Sequence, residues 1–266
     1  MIKLNATDMD GTLLDSEKRM PRDIVRVVHD LRARGVRMII ASGRQYATLV
    51  RDFGDLAPEL IFFAENGTVI MEGGKQLFTA PIDKAQVRRI VERTRGMQGV
   101  HAVLCRPEHA VIEAGAPEVF YHNVNMYYAS TRVVPDLLAA CDAFDDVCKI
   151  AFYDEGDAEH HSYPLLREWF SDRLAVILSG YSWVDLMLPG VHKGSAMQKM
   201  QELMGVSPEA CMAFGDYLND KELLEAVGES YAMDNALPEL KAIARYVAPS
   251  NDEDGVMRVI KERFSL

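Results

Sequence analysis

Positive charge is scarce in this sequence. Its 29 Lys and Arg residues face 40 Asp and Glu, a formal net charge of −11. Non-specific nucleic-acid binding needs Lys and Arg to neutralise phosphates, so a nucleic-acid partner is not expected. A small phosphorylated ligand is still open, because a local site can be positive inside an acidic protein. Cysteine is also sparse. Cys105, Cys141, Cys148 and Cys211 show no CxxC spacing, which argues against a zinc knuckle and suits reduced thiols. No apolar run is long enough to span a bilayer. Met1 leads straight into Ile2-Lys3-Leu4, with no leader-like stretch. Internal repeats and low-complexity segments are missing too. The expectation is a cytoplasmic protein without a membrane partner; nothing in the sequence speaks to its oligomeric state.

What is present is ordinary globular material: 266 residues, 48% apolar and 26% charged, enough for one large domain or two modest ones. The two ends share a rhythm. Ile2 to Thr7 reads as a strand. Pro21 marks a helix start, Ile24, Val25, Val28 and Leu31 recur at helical spacing, and Gly35 stops the helix. Val36 to Ala41 is a β-branched apolar run of the kind buried in parallel sheets. Leu60 to Ala64 follows as another strand, then an Asn66-Gly67 turn, with strands at Thr68 to Met71 and Gln76 to Thr79 flanking Gly73-Gly74. The C-terminal part resumes with helices at Gly194 to Met204, Asp220 to Val227, Pro238 to Ala244 and Gly255 to Phe264, and strands at Ala210 to Phe214 and Ser230 to Met233. This alternation predicts an α/β fold, a doubly wound parallel sheet with helices on both faces.

The middle breaks the rhythm. Helices at Lys84 to Arg95 and Ala158 to Phe170 mix with strands at Val100 to Cys105, Val147 to Tyr153 and Leu174 to Leu178. Residues 83–185 read as an inserted α+β domain, with 1–82 and 186–266 forming the core.

The densest chemistry lies in Asp8-Met9-Asp10-Gly11-Thr12-Leu13-Leu14-Asp15. Two carboxylates two residues apart at a strand end can point to one side, and Gly11 lets the chain turn sharply. Like charges held close are unfavourable unless a cation sits between them or one is protonated. A hard divalent ion with oxygen ligands answers this, and Mg2+ is the natural candidate. Strand ends are also where open α/β sheets build their sites. Alone, an Asp-x-Asp-Gly run reads more often as a turn than as a catalytic pair.

With this run the sequence resembles the haloacid dehalogenase superfamily of phosphohydrolases, whose first motif it matches. Ala41-Ser42-Gly43-Arg44 is similar to the second motif, His192-Lys193-Gly194 to the third, and Gly215-Asp216-Tyr217-Leu218-Asn219-Asp220 to the fourth. All four fall in order at expected strand ends. Asn66-Gly67, Asp234-Asn235-Ala236 and Asn251-Asp252-Glu253-Asp254-Gly255-Val256 resemble the Cof-like branch. The resemblance implies a Rossmann-like core with a large cap inserted between motifs two and three.

It also implies a Mg2+-dependent phosphatase acting on small phosphorylated metabolites, with sugar phosphates as the leading class. Asp8 would be the nucleophile that forms a phospho-aspartate, and Asp10 the acid and base. Met9 and Gly43 would offer backbone N–H groups, and Ser42, Lys193 and Asn219 side chains, to phosphoryl oxygens. The metal would rest on the Asp8 carboxylate, the Asp10 carbonyl and Asp216, with Asp220 behind it. Arg44 and Asn66 would touch substrate or cap, or shape the sheet edge. Asp234 and Asn235 read as loop-shaping. A phosphomutase of the same family, a receiver-type phospho-acceptor and a catalytically retired binding module are the competing readings. A receiver is about half this length and lacks the second carboxylate, and a retired module would have lost a motif residue. His122, His160 and His161 read as exposed polar residues, and Met197, Met200 and Met204 as one buried helix stripe. His192 and Tyr217 depart from the usual motif pattern and lie where they could shape specificity.

Overall fold

A computed structural model describes all 266 residues. In chain order its strands are β1 (Leu4–Thr7), β2 (Arg37–Ala41), β3 (Ile61–Ala64), β4 (Val69–Glu72), β5 (Lys75–Thr79), β6 (Val100–Cys105), β7 (Ala110–Glu113), β8 (Thr131–Val134), β9 (Lys149–Asp154), β10 (Ala175–Gly180), β11 (Trp183–Met187), β12 (Cys211–Gly215), β13 (Glu229–Met233) and β14 (Tyr246–Ala248). The chain separates into two compact units. One comprises Met1–Gly43, Phe53–Leu77 and His192–Leu266; the other comprises Arg44–Asp52 and Phe78–Val191.

The first unit carries an eight-stranded sheet in the order β14-β13-β12-β1-β2-β3-β4-β5. From β14 to β3 all neighbours are parallel, and β4 runs antiparallel to β3. Every residue of β1, β3 and β12 is buried, as expected for strands covered on both faces. β1 lies between β2 and β12, with Thr7 opposite both Ile40 and Phe214. The chain leaves β1 toward one neighbour and later returns on its other side. That is the switch point at which open α/β sheets form a crevice, and the segments after β1, β2 and β12 all emerge there.

Two details of this unit differ from the sequence reading. The first helix spans Ile24–Ala33, so Pro21 stands ahead of it, where its carbonyl accepts a hydrogen bond from Ile24 N at 3.3 Å. Met197 and Met200 are buried on the helix Lys193–Met204, but Met204 is 38% exposed: it is the last helical residue, and Gly205 turns the chain left-handed directly after it.

The second unit is built on a six-stranded sheet in the order β10-β11-β9-β6-β7-β8. All its neighbours are antiparallel except β7 and β8. Its side chains sort into two cores by the period-two alternation of strands. Leu104, Val111, Ile150 and Phe152 pack with Val87, Ile90 and Leu166. Val103, Cys105, Ile112, Ala151 and Tyr153 pack with Phe120 and Val124 of the helix Glu118–Tyr127. That helix and β7, β8 and β11 escaped the sequence reading. The helix expected from Ala158 begins at Ser162. Its start is fixed by Asp154, whose Oδ2 accepts from Ser162 N at 3.2 Å, which leaves Ala158 to His161 as a turn.

Candidate active site

The end of β1 delivers Asp8 beside β12, its N–H bonded to Phe214 O at 3.1 Å. The chain then folds back on itself. Met9 O accepts from Thr12 N at 3.3 Å and Leu14 N at 2.8 Å. Gly11 adopts φ +84°, and a Cβ there would collide with the Asp216 carboxylate; only glycine lets the loop pass so close. Asn235 clamps this loop from outside: its Nδ2 donates to Gly11 O at 2.7 Å, while its Oδ1 accepts from Asn251 N at 3.1 Å. Asn251 Nδ2 in turn donates to Leu14 O at 2.9 Å.

Lys193 is the first residue of the helix Lys193–Met204, which is fixed by a reciprocal cap. His192 Nδ1 accepts from Ser195 N at 3.1 Å, and Ser195 Oγ accepts from His192 N at 3.0 Å. Here the unusual motif residue His192 acts as a helix cap. Gly194 packs so tightly on the backbone of Glu222 that no side chain would fit. This approach brings Lys193 to the loop after β12. Its Nζ donates to Asp8 Oδ1 at 2.6 Å and to Asp220 Oδ1 at 2.6 Å, and all three side chains are nearly sealed from solvent. Asp220 Oδ2 accepts from the N–H groups of Asp216 at 3.1 Å and Tyr217 at 3.3 Å. The fold-back explains why residues 218–220 form a tight turn ahead of a shorter helix, Lys221–Glu225, instead of one helix from Asp220.

Asp216 completes the cluster. Thr12 Oγ1 donates to its Oδ1 at 2.6 Å, and oxygens of Asp8, Asp216 and Asp220 lie within 4.8 Å of one another. Burial pushes the Asp8 carboxyl up to about 7 although Lys193 pulls it down, and Asp220 and Asp216 push it further. Burial also raises Asp216, against the Thr12 hydrogen bond. Burial alone would discharge Lys193, but Asp220 and Asp8 hold it charged and above the usual lysine range. Lys193 thus bonds two of the three carboxylates, and the oxygens of Asp8 and Asp216 are hard donors of the kind a divalent cation takes.

The remaining predicted residues divide. Asp10 follows on the same loop, its side chain 42% exposed, with Lys18 Nζ donating to Oδ1 at 2.9 Å. Ser42, buried beyond β2, donates its N–H to Phe63 O at 2.8 Å and accepts from Asn66 N at 3.0 Å through its carbonyl. Asn66, at φ +58°, lays its side chain against Gly43, so it shapes the loop that carries Ser42 and Gly43. Asn219 and Tyr217 are exposed on the tight turn. Arg44 falls in the second unit, where its Nη1 donates to Asp52 Oδ2 at 2.8 Å. His122, His160 and His161 are exposed, the last two bonded to Asp157 and Asp154. All four cysteines are buried and none forms a disulfide.

Thr12, Lys18, Gly194 and Asn251 do structural work that the sequence reading left unassigned. Thr12, Gly194 and Asn251 stood inside quoted motifs, so position could have flagged them. Lys18 carried no such signal.

A family model of haloacid dehalogenase-like hydrolases matches residues 5–260. The chain belongs to that family and is an enzyme, a phosphoric monoester hydrolase. It is 32% identical over 268 residues to the 5-amino-6-(5-phospho-D-ribitylamino)uracil phosphatase YbjI of Escherichia coli, covering 97% of this chain and 95% of that protein. It is 29% identical to the HMP-PP phosphatase of Serratia proteamaculans, covering 91% and 88% of the two. The fold is shared with a haloacid dehalogenase-like hydrolase from Bacteroides thetaiotaomicron, with a TM-score of 0.83 at 24% identity over 99% of this chain and 100% of that one. No helix is long and apolar enough to cross a membrane.

Proposed function

We propose that the protein is a Mg2+-dependent phosphatase of small phosphorylated metabolites that works through a phospho-aspartate on Asp8. The observation that carries this reading is the buried cluster: one lysine bridging Asp8 and Asp220 at 2.6 Å each, with Asp216 completing an acidic group. It supplies a nucleophile, a fixed positive charge and the oxygen donors for a cation in one place.

Asp8 attacks phosphorus, the bond from phosphorus to the leaving oxygen breaks, and Asp10 passes its proton to that oxygen. A water oxygen then attacks the same phosphorus and gives its proton to Asp10. The bond to Asp8 breaks, releasing inorganic phosphate and restoring the carboxylate. Lys193, the Ser42 hydroxyl, the N–H groups of Met9 and Gly43, and Asn219 hold the phosphoryl oxygens. The Asp8 and Asp216 carboxylates and the Asp10 carbonyl would hold Mg2+, which when bound neutralises charge on the phosphoryl group and keeps Asp8 ionised. Asp220 acts from behind, because both its oxygens are committed to Lys193 and to the loop N–H groups.

The inserted stretch, residues 83–185, serves in this reading as a cap that selects the leaving group and excludes water. Sugar phosphates are the leading substrate class. The named substrate of the E. coli relative carries its phosphate on a ribityl chain, which supports a polyol or sugar leaving group.

The test is free-phosphate release from a panel of sugar phosphates, phosphorylated cofactors and nucleotides, with Mg2+ and with EDTA. Release that needs Mg2+ and vanishes in Asp8→Asn supports the reading. Release that persists in EDTA or in that variant sinks it, and an isomeric phosphate ester instead of free phosphate would point to a mutase.

A further inference from the structure

We infer that Lys18 is a positioning residue for the first transfer step, holding the carboxyl group of Asp10 by its Oδ1 while that group carries the proton to the leaving oxygen. The inference rests on the phosphatase reading above.

Asp10 differs from the other acidic residues of the site in being substantially solvent-exposed. An acid must lie within hydrogen-bond reach of the oxygen it protonates. Lys18 Nζ donates to Asp10 Oδ1 at 2.9 Å. The pair is exposed, so its contribution to stability is small, and its value would lie in orientation.

The turn that presents Lys18 is heavily determined. Lys18 adopts φ +63°, a left-handed conformation that costs a residue with a Cβ. Asp15 organises the turn around it: Asp15 Oδ1 accepts from Glu17 N at 3.0 Å and Arg19 N at 2.8 Å, and Oδ2 accepts from Arg19 Nε at 2.7 Å. The backbone closes with Lys18 N donating to Asp15 O at 2.9 Å and Asp15 N to Arg19 O at 3.2 Å. Ser16 N is tied to Asp252 Oδ1 at 2.8 Å, fixing the turn to the segment that carries Asn251. The polar contacts of the turn converge on holding one residue in a strained conformation, and that residue's side chain ends on Asp10. Strain retained by over-determined surroundings is a feature of functional loops.

The first step breaks the bond from phosphorus to the leaving oxygen while Asp10 supplies the proton. An alkoxide needs that proton, whereas p-nitrophenolate leaves without one. Loss of Lys18 should therefore harm kcat/KM for an alkyl ester far more than for a nitrophenyl ester, because kcat/KM reads the steps through the first irreversible transfer. The experiment compares Lys18→Met and Lys18→Arg with the wild type on ribose 5-phosphate and p-nitrophenyl phosphate in saturating Mg2+. Asp8→Asn is the blank, and thermal melts check that each variant is folded.

The expected result is a fall of about tenfold in kcat/KM on ribose 5-phosphate for Lys18→Met, most of it recovered in Lys18→Arg, with the nitrophenyl ester nearly unaffected. An equal fall on both esters would overturn the inference in favour of a phosphate-binding or purely structural lysine. No fall on either ester would overturn it outright. Wild-type release that survives in Asp8→Asn would overturn the phosphatase reading and this inference with it, an outcome distinct from the other two.

Discussion

Both units bury charge, and they do so differently. In the first, Lys193 stands between Asp8 and Asp220, and Asp216 adds a third carboxylate close by. The group is overloaded with negative charge, and burial pushes Asp8 up to about 7. In the second unit, buried Asp154 accepts hydrogen bonds from Gly156 N at 3.0 Å, Ser162 N at 3.2 Å and the His161 ring at 2.9 Å. Burial pushes its carboxyl up too, but these bonds outweigh burial and hold it below the usual range. Lys149 and Asp185 similarly form a buried pair at 3.3 Å. One region leaves its charges unbalanced and open to a reacting group. The other satisfies its buried charges with hydrogen bonds and an ion pair, which serve the fold. The comparison teaches that unbalanced burial, more than burial itself, marks a reactive site.

The largest effect that could break this contrast is on turnover. Asp8→Asn should lower kcat at least about 10³-fold, since no other group can form the covalent bond. Its thermal midpoint should stay at or above the wild-type value, because the change removes a strained charge. A clear loss of stability in calorimetry would mean that Asp8 serves the fold. Lys193→Met should lose activity and also about 3–5 kcal/mol of stability in denaturant titration, because it strands buried carboxylates. A stable Lys193→Met would show that the cluster discharges by taking up protons.

In the second unit the pattern should reverse. Asp154→Asn should cost about 1–3 kcal/mol through its weakened bonds to Gly156, Ser162 and His161, with turnover of p-nitrophenyl phosphate close to wild type. The pH dependence follows from its depressed carboxyl. The folded-state value lies below the unfolded one, so the stabilisation is fully present above the ordinary aspartate range, near about pH 4, and is lost as pH falls through the folded value. The stability gap between wild type and Asp154→Asn should therefore narrow in acid; a gap that widened would reverse the assignment. The smallest effect belongs to exposed pairs. Lys199→Ala, which removes a 2.9 Å contact with Glu202, should change stability by no more than about 0.5 kcal/mol.

The same contrast explains what the sequence discloses. The α/β alternation and the order of motifs are legible because β2, β3 and β12 are largely apolar buried runs, β1 is buried although it carries Asn5 and Thr7, and each is followed by a short polar loop. Asp8, Lys193, Asp216 and Asp220 converge because parallel strands place their ends side by side. The second unit is less legible. There β6 runs into β7, and β10 into β11, with no helix between them, so no strand–helix rhythm announces β7 or β11. The helix Glu118–Tyr127 leaves Val119, Met126 and Tyr127 exposed, which blurs its periodicity. Lys18 was invisible for another reason: its partner Asp10 is reached through a left-handed turn that no local pattern announces.

The most direct test of the central claim is chemical trapping of the intermediate. Wild-type enzyme is mixed with Mg2+ and its best substrate, quenched in acid within the first turnover, digested and examined by mass spectrometry. The account predicts a phosphoryl group on the peptide that begins the chain, at Asp8, and none there in Asp8→Asn. A first turnover that releases phosphate while that peptide is never modified would contradict it.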